Sequence, residues 1–309
     1  MIVTVTINPA IDGNVSADRL VFEDRAYILA RSESAGGRGI NASAVLHSFG
    51  ADTLSIATCG GESGKRFEEL LRGLGFPVEL VRIKNDIRTN LTISDKHGLT
   101  VKLNELGPAI QQTELDGLEQ AVRASMAKAT YLMICGSLPP GVPSHFYCRL
   151  IEAAKAKNVP TLLDTDGEAL QHAVEASPTV VFPNQQEAER LLHRALITRT
   201  HFHEAAERIL GMGTQSVVLS LGARGAVGTN GKQLLEVIPP RVDALCPIGA
   251  GDAMAAAFVW AMDQKKEFAD AMRWGVAAGT AAACLPGVLL PSFKQTKDMY
   301  RRVEVRYPS

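Results

Sequence analysis

The sequence predicts a three-layer α/β/α domain with a mostly parallel central sheet and a small β-sheet lid. Three observations carry that reading. Short, nearly uniform apolar runs such as Ile2–Ile7 and Tyr131–Cys135 read as strands buried on both faces. Amphipathic helix patterns separate most of these runs, the rhythm of parallel strands joined by crossovers. Two segments, 13–33 and 78–103, break the rhythm with short alternating runs and no good helix.

In chain order, Ile2–Ile7 is the first strand, with no basic region or cleavage site that would make it a signal peptide. Helix Ile40–Phe49, strand Thr53–Thr58 and helix Lys65–Leu74 follow, the last stopped by Gly75. Strand Tyr131–Cys135, helix Ser144–Lys157 and strand Thr161–Asp164 come next. Then come helix Gly167–Val174, strand Thr179–Phe182, helix Gln185–Leu192, helix His203–Leu210, strand Ser216–Leu221 and a helix from Ala250. Within 78–103, Asn85–Asp86 and His97–Gly98 are turn signals between three short strands. Together with 13–33 they are expected to form one small antiparallel sheet over an active site. Its exposed face suits a homodimer contact. Residues 1–309 are read as a single domain.

With 46% hydrophobic residues the chain can fill a large core, and a formal net charge of −1 gives no global pull toward nucleic acid or an anionic membrane. The five cysteines are scattered without a C-x-x-C pair, so neither a zinc site nor a disulfide framework is indicated. Reduced thiols in a cytoplasmic protein follow. The apolar stretch Ala277–Leu290 is broken by Pro286 and is too short to span a bilayer.

The strongest chemical signal is Pro247-Ile248-Gly249-Ala250-Gly251-Asp252 ahead of a small, apolar helix. Its glycines turn the backbone into a helix N-terminus, where free N–H groups and the helix dipole hold an anion. Asp252 is then either a helix-stabilising charge or a general base beside the anion hole made by Gly249, Ala250 and Gly251. Ala35-Gly36-Gly37-Arg38-Gly39-Ile40-Asn41 lacks the spacing of a dinucleotide fingerprint. It reads as a turn before a helix, or as a backbone platform under a sugar with Asn41 on its hydroxyls. Asp12, just past the first strand, is a turn residue or an acceptor for two sugar hydroxyls. Gly136 and Ser137, also past a strand, open a Pro-Pro-Gly turn and face the same edge. Asn184 and Glu187 fit a capping box, or a pair that positions hydrated Mg²⁺ near nucleotide phosphates. The stretch from Ser220 through Gly222 to Gly225 is a hairpin, or a wall of a nucleotide pocket.

In this order and spacing the motifs resemble the PfkB/ribokinase carbohydrate kinase family from Asn8 to about Pro291. Asn8-Pro9-Ala10-Ile11-Asp12, Ile87-Arg88-Thr89-Asn90, Asn104-Glu105-Leu106-Gly107-Pro108 and Leu163-Asp164-Thr165-Asp166-Gly167-Glu168 resemble its hexose-phosphate branch, which holds 1-phosphofructokinase, tagatose-6-phosphate kinase and the minor 6-phosphofructokinase. The resemblance implies a ribokinase-like fold, and ATP-dependent phosphorylation of a hexose monophosphate with Mg²⁺. It makes Asp252 the base and puts Asp12, Gly36, Gly37, Arg38 and Asn41 on the substrate. Arg88 becomes the substrate-phosphate ligand. Asn184 and Glu187 serve Mg-ATP, while Ser220, Gly222, Gly225, Gly275 and Gly279 line the nucleotide pocket. Four positions depart from the pattern: Arg38 replaces the usual lysine, Phe182 another lysine, Leu106 a proline, and Ala253 a serine or threonine.

By strand alternation Arg88 and Asn90 share a face, and a guanidinium suits a phosphate dianion. Arg25, in the first lid segment, adds a second positive charge. The bland alternative leaves Arg88 solvated or paired with Asp86. A kinase for an unphosphorylated sugar or nucleoside, and a non-catalytic sugar-phosphate sensor, are the competing functions.

Overall fold

The computed structural model describes residues 1–21, 23–287 and 289–308. Phe22, in the first predicted lid segment, and Val288, in the predicted apolar stretch 277–290, lie outside the described residues.

The first strand, β1 (Ile2–Thr6), is wholly buried and lies third from one edge of a ten-stranded sheet. β4 (Thr53–Gly60) and β5 (Val78–Ile83) lie on one side of it. On the other side are β8 (Tyr131–Cys135), β9 (Thr161–Asp164), β10 (Val180–Val181) and β11 (Ser216–Ser220). All of these pairings are parallel. An antiparallel margin of β12 (Ala226–Thr229), β13 (Leu234–Ile238) and β14 (Glu304–Arg306) completes the sheet. The strand order reverses direction at β1, and in open parallel sheets ligands gather at the carboxyl ends of strands beside such a switch point.

Alternate side chains of β1 feed two cores. Val3 and Val5 pack with α3 (Gln112–Ser125), α4 (Phe146–Lys155), α5 (Gly167–Glu175), α6 (Gln185–Leu192) and α7 (Arg199–Leu210). Ile2 packs with α1 (Arg38–Ser48), α8 (Ala250–Asp263), α9 (Phe268–Ala283) and α10 (Phe293–Tyr300) on the other face. A third cluster joins α2 (Gly61–Arg72) to Ile83 and Ile87. Burial of one such aliphatic or aromatic side chain contributes roughly 1.5–3 kcal/mol, so these faces fix the three layers.

The small sheet has the order β3 (Ile28–Gly36), β2 (Ala10–Ala17), β6 (Arg88–Asp95), β7 (Thr100–Asn104). It departs from the predicted sheet in two ways. Val78–Ile83 pairs in parallel with β4 and belongs to the large sheet. As an edge strand it presents a part-exposed face, so its residues alternate as lid residues would. In addition, β2 and β6 run parallel, because the intervening chain passes through the large sheet before it returns. No helix among the described residues is long and apolar enough to cross a membrane.

A candidate active site at the carboxyl edge of the sheet

The glycine pair before α1 brings the small sheet to the carboxyl edge. Gly37 caps the helix at φ 127°, and a Cβ there would strike Thr6 Cγ2 at 2.7 Å. Gly36 ends β3, and a Cβ on it would overlap the Asp12 carboxylate, so that carboxylate lies directly over Gly36. Asp12 sits opposite Ser34 on β3 and Asn90 on β6, which places all three on one face. Asn90 Nδ2 donates to Asp12 Oδ1 at 2.9 Å. Burial pushes the Asp12 carboxyl above its usual range, against the pull of Asn90 and Arg88.

Arg88 lies one same-face row from Asn90, a step of about 7 Å along a strand. Its Nη1 donates to the Glu105 carbonyl at 3.1 Å and its Nη2 to the Asn8 carbonyl at 3.0 Å. The guanidinium is therefore anchored over the strip by backbone, and burial lowers its basicity. It makes no bond to Asp86, whose Oδ1 accepts from Ser63. Asn8 Nδ2 donates to the Leu106 carbonyl at 2.9 Å and to Ser137 Oγ at 3.3 Å, which draws Ser137 to the strip. Four side-chain atoms around this strip, Asn8 Oδ1, Ser34 Oγ, Arg88 Nε and Asn90 Oδ1, are buried without a hydrogen-bond partner. Groups of that kind suit a ligand rich in hydroxyls.

Across the cleft, Gly249 enters the left-handed region at φ 77° and caps α8. The Ala250 amide is used by the Pro247 carbonyl, at 3.3 Å. A Cβ built on Gly251 would meet no atom within 4 Å, so the first turn of α8 borders open space at that residue. Asp252 occupies that turn, and Asn41 Nδ2 donates to its Oδ2 at 2.7 Å. Asn41 thus reaches the base candidate and not the strip. Burial and the nearby Asp164 charge push the Asp252 carboxyl up to about 7, while Asn41 and Arg38 hold it down. A carboxylate at that value is poised to accept a proton near neutral pH.

Arg38 departs furthest from expectation. Its guanidinium turns away from the strip into a corner of carboxylates. Nη1 meets Asp164 at 2.7 Å, and Nη2 meets Asp166 at 2.8 Å and Glu187 at 3.2 Å. Although burial opposes its charge, these partners hold Arg38 well above its ordinary value. Asn184 and Glu187 do form a capping box on α6, with Asn184 Oδ1 accepting from the Glu187 amide and Glu187 Oε2 accepting from the Asn184 amide. Glu187 therefore has one oxygen in the cap and one on Arg38, and burial raises its pKa. Asp164 and Asp166 carry no role in the sequence reading; their positions just past the end of a buried strand were the available signal.

Other expected positions fall elsewhere. Ser220 ends β11 and bridges to Asn184, while Gly222 and Gly225 form the tight turn into β12. That location is compatible with a pocket wall. Gly275 and Gly279 are instead contact residues of α9 on α8, because a Cβ on them would lie 2.9 Å from the Met254 and Ala250 carbonyls respectively. Their spacing of four serves helix packing. Arg25 lies in the exposed loop beyond the far ends of β2 and β3, where its carbonyl accepts from Arg19 at 3.3 Å. Asp12 is near the start of β2 and that strand runs away from it, so within one chain Arg25 does not reach the strip.

A buried carboxylate beside a glycine-capped helix N-terminus, with a strip of unpartnered buried polar atoms on the same sheet edge, suits the transfer of a phosphoryl group to an alcohol. The family model "pfkB family carbohydrate kinase" matches residues 9–294, and the chain belongs to that family. It is 32% identical over 302 residues to "ATP-dependent 6-phosphofructokinase isozyme 2" of Escherichia coli (strain K12), covering 97% of each chain. It is 29% identical over 306 residues to "1-phosphofructokinase" of Borreliella burgdorferi, covering 99% of this chain and 98% of that one. Among solved structures, phosphofructokinase-2 from Escherichia coli "in complex with substrates and products" superposes with a TM-score of 0.92 at 32% identity, over 97% of this chain and 98% of that chain.

Proposed function

We propose that this protein phosphorylates a hexose monophosphate to a hexose bisphosphate with ATP. Fructose 1-phosphate is the first-choice substrate, and fructose 6-phosphate or tagatose 6-phosphate come next. The observation that carries the reading is Asp252, held by Asn41 beside the first-turn amides of α8 and within electrostatic reach of Asp12. In this reading Asp252 takes the proton of the attacking hydroxyl. The backbone N–H groups of Gly249, Gly251 and Asp252 receive the transferring phosphoryl group, the Ala250 N–H being taken by Pro247. Asp12, Asn90 and Ser137, with the backbone of Gly36 and Gly37, hold the sugar, and Arg88 holds its phosphate.

The nucleotide side is formed by Asn184, Glu187, Ser220, Gly222 and Gly225. Asp164, Asp166 and Glu187 outnumber Arg38 at this corner, and their oxygens suit a hydrated Mg²⁺, while among the described residues no group of three or more His, Cys, Asp or Glu is placed to hold a bare metal ion. Mg²⁺ held there would supply charge neutralisation for the nucleotide phosphates. Glu187 and the carboxylates beside it would hold the ion through its waters.

Residues 13–36 and 88–104 act as the lid of a single kinase domain. Tyr27, Ile28, Leu29, Leu99 and Leu103 are exposed on the small sheet and support a homodimer through it. The substrates are those of cytoplasmic sugar metabolism. A coupled ADP-release screen over the three phosphorylated ketohexoses and their free sugars tests the function. Turnover with a phosphorylated ketohexose, and little with free sugar, is expected. Equal turnover of free sugars would replace the reading.

A further inference from the structure

We infer that Arg38 is a tethered counter-cation, which occupies the carboxylate corner so that the nucleotide-free protein does not bind a divalent metal ion there. Metal then enters with nucleotide. The inference rests on the reading of this corner as the nucleotide's side.

Four elements converge on one guanidinium. Arg38 opens α1, Asp164 ends β9, Asp166 caps α5 and Glu187 lies in the first turn of α6. The contacts at 2.7, 2.8 and 3.2 Å use oxygens that a hard cation would otherwise take. The second oxygen of Glu187 is committed to the Asn184 amide at 2.8 Å, so this carboxylate has no idle oxygen to offer a free ion.

The residue type matters. A guanidinium is planar and has several donors, so Nη1 can serve one carboxylate while Nη2 serves two. An ammonium in its place is a compact point charge and cannot span the same oxygens with fixed geometry. Without Arg38, three carboxylates would face one another, and like charges this close are relieved by protonation or by uptake of a cation. The arginine therefore supplies charge balance without a bound ion. Because it is covalently attached, it need not be collected from solution before each turnover.

Mn²⁺ serves as the probe, with free ion read by electron paramagnetic resonance on nucleotide-free protein. Wild type is expected to leave Mn²⁺ unbound at concentrations where Arg38→Met takes up one ion per chain, at least tenfold more tightly. Arg38→Lys should fall between them. Adding Glu187→Gln to Arg38→Met should abolish the gain, an outcome a merely structural Arg38 would not produce. Wild type binding Mn²⁺ without nucleotide as tightly as Arg38→Met overturns the inference. Should Arg38→Met not fold, equal binding by wild type and Arg38→Lys overturns it. A non-hydrolysable ATP analogue should bring one Mn²⁺ to the wild type. Its failure to do so would sink the nucleotide reading itself, which separates the two failures.

Discussion

On the small-sheet side of the cleft, Asn8 Oδ1, Ser34 Oγ, Arg88 Nε and Asn90 Oδ1 are buried without partners. At the Arg38 corner, in contrast, Asp164, Asp166, Glu187 and Asn184 all have partners from the chain itself. An unpaired buried polar group costs about 1–3 kcal/mol, so the strip gains most from a ligand bearing many hydroxyls. The corner is already balanced by a tethered charge and has no such unpartnered atom among the described residues. On the proposed reading the two sides divide the substrates between them, and Asp252 is bonded to Asn41 and within the field of both Asp12 and Asp164.

The largest effect expected is at the residue joining the two sides. Asp252→Asn should lower kcat by about 10²–10⁴-fold while both substrates still bind. Near wild-type turnover in that variant would take Asp252 out of the proton-transfer role. The pH profile sharpens the point. With the Asp252 carboxyl at about 7, the ionised base is lost below that pH, and kcat/KM should fall roughly tenfold per unit on the acid side. Asn41 donates to the ionised form, so Asn41→Ala should move this limb to higher pH. The stability consequence has the opposite sense. The folded value lies above the ordinary 3.8, so the stabilising contribution is full below 3.8 and is lost as pH rises through about 7. Asp252→Asn should accordingly melt at or above the wild-type temperature at pH 8.

Much of the α/β frame was legible because its signals are local. Ile2–Ile7, Tyr131–Cys135 and Gln185–Leu192 carry their own period, and the glycine-flanked start of α8 is written within a few residues. The Arg38 corner was not legible, because Arg38 meets Asp164 and Asp166 across 126 and 128 residues. Only the crossover topology brings them together. Val78–Ile83 was misplaced because period-two alternation cannot separate a lid strand from a part-exposed edge strand of the main sheet. Gly275 and Gly279 were ambiguous for a similar reason: glycines four apart suit a ligand or a neighbouring helix equally, and the structure shows their contact with α8.

The smallest effect is expected at Ser34. Its hydroxyl is buried beside Asp12 and bonds nothing in the chain, so Ser34→Ala should leave the melting temperature unchanged or slightly raised. A drop of several degrees would mean that the strip is a structural network and not a binding surface.

The division of the cleft is tested most directly by the Michaelis constants of Arg88→Ala for its two substrates. Arg88 is anchored on the strip by the Asn8 and Glu105 carbonyls and donates to none of the Arg38-corner carboxylates, although it feels the charges of Asp166 and Arg38. A charge-assisted hydrogen bond contributes roughly 1.5–3 kcal/mol. The variant should therefore raise the constant for the sugar phosphate at least about tenfold and leave that for MgATP within about twofold. Both constants rising together, or neither moving, would contradict the account.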